Sequence, residues 1–258
     1  MSDIGILYAL DGARAATIHR CLGAMSGIVV LSRIHPFGLQ INNPLEQADR
    51  WFGLISDEDR DRLMSQQDWP YQDILELISD RATAAGKRLV VGDWSNVDFV
   101  GGVPLDQLAG VFVHAGVLEL KFEVKAAALV RHPIDQWLEI RDRGAGDAAA
   151  LHHFLRGYHK FVQCLHGIPT VKYEHFETHP EAVLREICDA VGAPYDAGWQ
   201  SRWQDFTDVA PEVAADLTRT EIAATPRPDL DADLLQSFEL DPNYAPAIQL
   251  LGYEHPTR

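Results

Sequence analysis

An α/β fold, with a mostly parallel central sheet flanked by helices, is predicted by three observations. Five short runs are rich in apolar residues with little polar alternation, as strands buried on both faces require. Most of these runs are separated by stretches with helical spacing, an order that places helices on both faces of a sheet. Polar turns carrying an arginine follow three of them, at the carboxyl ends where open α/β sheets bind ligands. The 258 residues suffice for one sizeable core, so residues 1–258 are read as a single domain.

Taken in order, Ile4 to Leu10 reads as the first buried strand. Asp11 to Thr17 turns the chain, and a helix runs to about Ala24 with Ile18 and Leu22 inward. Ile28 to Leu31 is a second strand. Leu45 to Gly86 is helical in pattern and reads as an insert: Asp57-Glu58-Asp59 opens one helix, and Trp69-Pro70 begins another that Gly86 stops. Arg88 to Gly92 is the third strand, followed by the polar turn Asp93 to Asn96. Val111 to Leu120 fits strand or loop. Phe122 to Val130 is a strand leading into Arg131, Ala148 to Leu165 a long helix, and Ile168 to Lys172 a short strand. A last clear helix spans His179 to Val191, with Gly192 placed to cap it.

Composition narrows the function. A net charge of −16 argues against nucleic acid as a partner, because a phosphate backbone demands a basic face. No apolar run approaches the roughly 18 residues of a membrane span. Met1-Ser2-Asp3 has no basic lead-in to its apolar run, so no signal peptide is expected and a cytoplasmic location is. Cys21, Cys164 and Cys188 have no paired spacing and read as reduced thiols. His152 and His153 are adjacent and do not share a helical face, so no metal site is expected there. The acidic run Asp57 to Asp61 reads as a solvated face.

The most informative stretch is Val130-Arg131-His132-Pro133-Ile134-Asp135. Pro133 suits the first helical position and Asp135 the first turn. Arg131 is thereby fixed at a strand end, where it reads as an anion clamp; the structural alternative is an ion pair with Asp135 or Glu139. The turn Gly12-Ala13-Arg14-Ala15-Ala16-Thr17 aims N–H groups and a helix N-terminus at an anion. Val171-Lys172-Tyr173-Glu174 puts a ring and a cation at another strand end.

In order, these pieces resemble the nucleotide-dependent sulfotransferase family, particularly its bacterial members. Gly12 to Ile18 aligns with that family's G-x-x-R-S-G-T-T-type loop, and Arg131 to Asp135 matches its R-x-P-x-D helix start. Tyr173-Glu174-His175, Pro180-Glu181, Val191 to Tyr195 and the ending from Pro226-Arg227-Pro228 to Tyr253 resemble its later segments. The resemblance implies a P-loop NTPase-like sheet and transfer of a sulfuryl group from 3′-phosphoadenosine 5′-phosphosulfate (PAPS) to a hydroxyl or amine, without a metal. It implies that Gly12, Ala13, Arg14, Ala15, Ala16 and Thr17 face the phosphosulfate, that Arg131 faces the 3′-phosphate, that Tyr173 lies near the nucleoside, and that Arg227 belongs to the donor site. The implied partners are an adenine nucleotide and a small-molecule acceptor, with a homodimer admitted.

Several positions depart from the family pattern. Ala15-Ala16 replaces Ser-Gly and Ile18 a threonine. Arg33 stands where a carboxylate serves as general base, which leaves Asp93 and His35 as the nearest substitutes. Glu139 stands where a serine meets the 3′-phosphate. Either Glu139 turns away, toward Arg143 at i+4, or the ligand lacks that phosphate and offers a ribose hydroxyl instead. Three functions stay open: a sulfotransferase, a sulfotransferase fold that binds without catalysing, and a transferase whose donor has no 3′-phosphate.

Overall fold

The computed structural model describes residues 2–65, 69–104, 107–141, 148–210, 220–224 and 226–256. Its strands are β1 (Ser2–Ala9), β2 (Ile28–Ile34), β3 (Arg88–Asp93), β4 (Phe122–Val130) and β5 (Thr170–Lys172). Its helices are α1 (Ala15–Gly23), α2 (Pro44–Phe52), α3 (Asp57–Ser65), α4 (Tyr71–Ala84), α5 (Asn96–Phe99), α6 (Val113–Leu118), α7 (Pro133–Arg141), α8 (Ala148–Cys164), α9 (Tyr173–Thr178), α10 (Pro180–Val191), α11 (Ala232–Leu240) and α12 (Tyr244–Leu251). Among the described residues five strands form one sheet in the order β2-β3-β1-β4-β5, every neighbouring pair parallel. The parallel sheet flanked by helices is as expected.

The unbroken apolar strands have the physical reason anticipated: side chains alternate between two cores. Ile4, Ile6 and Tyr8 join Val91, Val130, Leu155 and Tyr158 on one face. Leu7 and Ala9 join Val30, Leu129, Ile18 and Leu184 on the other. The chain leaves β1 toward β2 and leaves β4 toward β5, in opposite directions across the sheet. The gap between the carboxyl ends of β1 and β4 is therefore the switch point, where such sheets open a crevice for ligands.

Four details differ from the sequence-based expectation. Residues 113–118 of the ambiguous segment are a helix, α6, which turns His114 and Leu118 inward. The acidic run is not wholly solvated: Asp59 is buried, accepts from Ser56 Oγ at 2.7 Å, and pairs with Arg81 at 2.5 Å. The second strand continues past Leu31 to Ile34 through a shift in register, and Arg33 there adopts φ 54°. Tyr173 opens a short helix, α9. Helices α2, α3 and α4 fill the segment between β2 and β3.

Candidate functional site

Arg14 and Arg131 follow β1 and β4, the two strands that border the switch point. Asp11 to Arg14 bridge β1 and α1, and neighbours fix this turn from three sides. Asp11 N–H donates to Asn96 Oδ1 at 2.6 Å, Gln136 Nε2 donates to the Asp11 carbonyl at 2.8 Å, and Arg131 Nη1 donates to the Gly12 carbonyl at 2.9 Å. Gly12 has φ 84°, and a Cβ there would lie 2.6 Å from the Gln136 carbonyl oxygen, so glycine is required. Arg14 stands at the N-cap of α1 with φ 61° and ψ 35°, left-handed backbone that costs a non-glycine residue about 1–2 kcal/mol. A strained residue at a ligand-facing turn is a pattern of functional sites.

Arg131 is held from behind. Its carbonyl accepts from Tyr158 Oη at 2.8 Å, and the next N–H, that of His132, donates to Glu174 Oε1 at 2.7 Å. Glu174 in turn accepts from Tyr253 Oη at 2.9 Å, which ties the chain's last helix region to the site. The guanidinium carbons of Arg14 and Arg131 lie 5.7 Å and 5.8 Å from the Tyr173 ring centre. Tyr173 is buried, so its ring backs the two cations.

The decisive contact is Glu139. Its Oε2 accepts from Arg14 Nε at 2.6 Å and from Arg131 Nη1 at 2.6 Å. The carboxylate of α7 thus sits between both proposed anion-binding arginines, and it does not turn outward. Arg143, the alternative partner, lies outside the described residues. Burial by itself would raise the Glu139 carboxyl, but the charges and hydrogen bonds of Arg14 and Arg131 overcome it and hold the pKa below the ordinary value. Burial likewise works against the charge on Arg14, and Glu139, seconded by Tyr173 and Glu177, reverses that effect. Arg14 also reaches Glu177 at 3.4 Å.

The remaining expected residues are placed as follows. Ala13 and Ala16 are buried, and Ala15 and Ala16 occupy the first turn of α1, where N–H groups have no acceptor within the helix. Thr17 is fully buried, and its Oγ1 has no hydrogen-bond partner. Arg227 pairs with both oxygens of Asp135, at 2.6 and 2.7 Å. Asp93 accepts from Ser95 Oγ at 2.5 Å and pairs with His114 Nδ1 at 2.8 Å, while His114 Nε2 meets Tyr71 Oη at 2.6 Å. His35 is fully buried, accepting from the Phe37 N–H at 3.2 Å and facing Asp98 at 3.3 Å. Asp93 is thus engaged by two side chains, while His35 accepts one hydrogen bond through Nδ1 and its Nε2 makes none.

Two side chains gain weight only in three dimensions. Arg33 pairs with Asp11 and lies 4.5 Å over the Trp94 ring, closing one side of a small cavity beside the Arg14 turn. His19 lines the same cavity, its Nδ1 3.2 Å from Ser32 Oγ and its Nε2 without a partner. Burial, assisted by the Arg33 charge, pushes its pKa down to about 4. His19 is therefore a neutral imidazole at pH 7. It follows the Arg14 turn by five residues, and its helical phase was the only signal in the sequence. Among the described residues no three His, Cys, Asp or Glu side chains converge to hold a metal ion. No helix among the described residues is long and apolar enough to cross a membrane.

No family model matches the chain, and no curated protein does either. Its fold is similar to that of a sulfotransferase domain from the curacin biosynthetic pathway, at 15% identity, with 99% of each chain covered and a TM-score of 0.64. It is similar also to a sulfotransferase domain from the Synechococcus PCC 7002 olefin synthase, at 16% identity, covering 100% of this chain and 91% of that one with a TM-score of 0.53. The chain therefore has a sulfotransferase-like α/β fold.

Proposed function

We propose that the protein transfers a sulfuryl group from an adenine-nucleotide donor, PAPS in the conventional form, to a hydroxyl or amine of a small molecule. The observation that carries this reading is the convergence of Arg14 and Arg131, from the loops after β1 and β4, on one point of the switch-point crevice. Two guanidiniums meeting in a largely buried site form an anion receptor. Two solved domains that share the fold carry the sulfotransferase name.

The residues fit an anionic donor at the loop. The unpartnered Thr17 hydroxyl and the first-turn N–H groups of α1 provide donors that a phosphosulfate would satisfy. When bound, that donor supplies a sulfuryl group attached to phosphate. Arg14 and the α1 N-terminus then stabilise charge on the bridging phosphate oxygen as the sulfur–oxygen bond breaks. The proton that the acceptor hydroxyl or amine loses as it bonds to sulfur goes to a phosphate oxygen of the departing nucleotide. His19, with its pKa pushed down to about 4 and its Nε2 packed against Gly92, is too weak and too enclosed to take it.

A second reading is favoured by Glu139. Its carboxylate fills the space between the arginines that a 3′-phosphate would need, and a carboxylate there suits a ribose hydroxyl better than a phosphate. Calorimetric titration separates the two. Tighter binding of adenosine 3′,5′-bisphosphate than of ADP supports PAPS as the donor; the reverse order supports a donor without the 3′-phosphate. Failure of both nucleotides to bind would overturn the two transferase readings.

A further inference from the structure

Away from the Arg14 turn, a cavity of about 750 Å³ lies between α8 and residues 98–103 and 107–110. That volume is typical of a small-molecule site. We propose that it binds an amphipathic organic anion, with the anionic head between Arg156 and Lys160 and the apolar body against Val100, Val103 and Leu108. This inference is independent of the transfer reading.

The protein carries −16 overall, so a locally cationic cavity runs against the general field and needs an explanation. Arg156 and Lys160 stand at i and i+4 on α8 and line one wall. Neither has a carboxylate partner among the described residues, although nearly every other arginine around the sheet ends does. The cavity's one acidic lining residue, Asp98, is turned away: its side chain is 1% exposed and faces His35 at 3.3 Å, and it accepts from the Val113 N–H at 3.1 Å. The lining is therefore positive where a ligand would meet it.

Gly157 lines the same cavity as Arg156 and Lys160, and a Cβ there would strike the Phe99 carbonyl oxygen. The backbone of α8 thus rests directly on α5, which fixes the floor. Opposite the cations, Val100, Val103 and Leu108 are half-buried apolar side chains facing the same space. A hydrated inorganic ion would leave that wall unused. An anion with a hydrocarbon body gains from both sides, since its methylenes leave water against the apolar wall.

The test is calorimetric titration of the whole protein with octanoate and with inorganic phosphate, against the R156Q/K160Q variant. Both substitutions are on an exposed helix face, and an unchanged circular dichroism spectrum and Tm establish that the variant folds. Expected are octanoate binding tighter than phosphate binding, weakening as salt rises, and at least about a tenfold loss in the variant, as removing charge-assisted contacts implies. Absence of octanoate binding, phosphate binding as tight as octanoate, or equal octanoate affinity in the two proteins would each overturn the proposal. The same variant should bind adenine nucleotide as the parent does, so failure here and failure of the transferase reading are distinguishable.

Discussion

Replacing Glu139 by serine should convert the Arg14–Arg131 pair from a filled site into an open anion receptor. In the native protein the carboxylate is 2.6 Å from each guanidinium, and the three side chains are only 10–16% exposed. A phosphate sharing those cations would approach the carboxylate to about 4 Å, where two unit like charges cost on the order of 4 kcal/mol at an effective dielectric near 20. Removing that charge should tighten adenosine 3′,5′-bisphosphate by roughly a thousandfold, while ADP, with no phosphate to place there, should change little. The substitution also strips both arginines of their shared partner. Arg14 keeps Glu177 at 3.4 Å and the site is not fully buried, so the stability lost should fall below the roughly 3–5 kcal/mol of a broken buried pair. The bisphosphate should restore it, because a ligand that binds only the folded state stabilises by mass action. Titration calorimetry and thermal unfolding with and without nucleotide measure both effects. Unchanged bisphosphate affinity in E139S, with the fold intact, would refute the reasoning and remove Glu139 as the determinant of the donor.

Further outcomes follow from single contacts. Gly12→Ala should destabilise the protein by at least about 2 kcal/mol in urea unfolding and weaken nucleotide binding, since φ 84° and the nearby Gln136 carbonyl both exclude a Cβ. His19 has a folded pKa pushed from 6.5 down to about 4, so the unfolded chain binds its proton first as pH falls. The stability it contributes is present above pH 6.5 and is lost toward pH 4, about 3 kcal/mol in all; His19→Asn should flatten the urea-midpoint profile in that window, and an unchanged slope would contradict the assignment. Arg81→Ala leaves the Asp59 carboxylate, 2% exposed, with Ser56 as its one remaining partner among the described residues, and should lower the Tm. A normal Tm in that variant would show Asp59 to be better solvated than its contacts imply.

The sequence by itself determined the sheet, its parallel sense and the turns that matter, because these rest on local rules. Runs such as Ile4 to Leu10 lack alternation since both sheet faces are covered, and Pro133 and Gly192 mark helix ends by backbone geometry that each residue imposes alone. Arg14 and Arg131 were legible for the same reason: each follows a recognisable strand. What they touch was not. Glu139 lies 125 residues from Arg14, and neither helical periodicity nor composition says whether its carboxylate points outward to a neighbour on α7 or inward to the switch point. The surroundings of Asp93, read from the sequence as a candidate base and found beside His114 and Ser95, depended on α6, a helix that the residue pattern left ambiguous. Local patterns fix which elements form. Only packing decides which side chains meet, because side-chain pairing across the sheet depends on contacts between segments far apart in the chain.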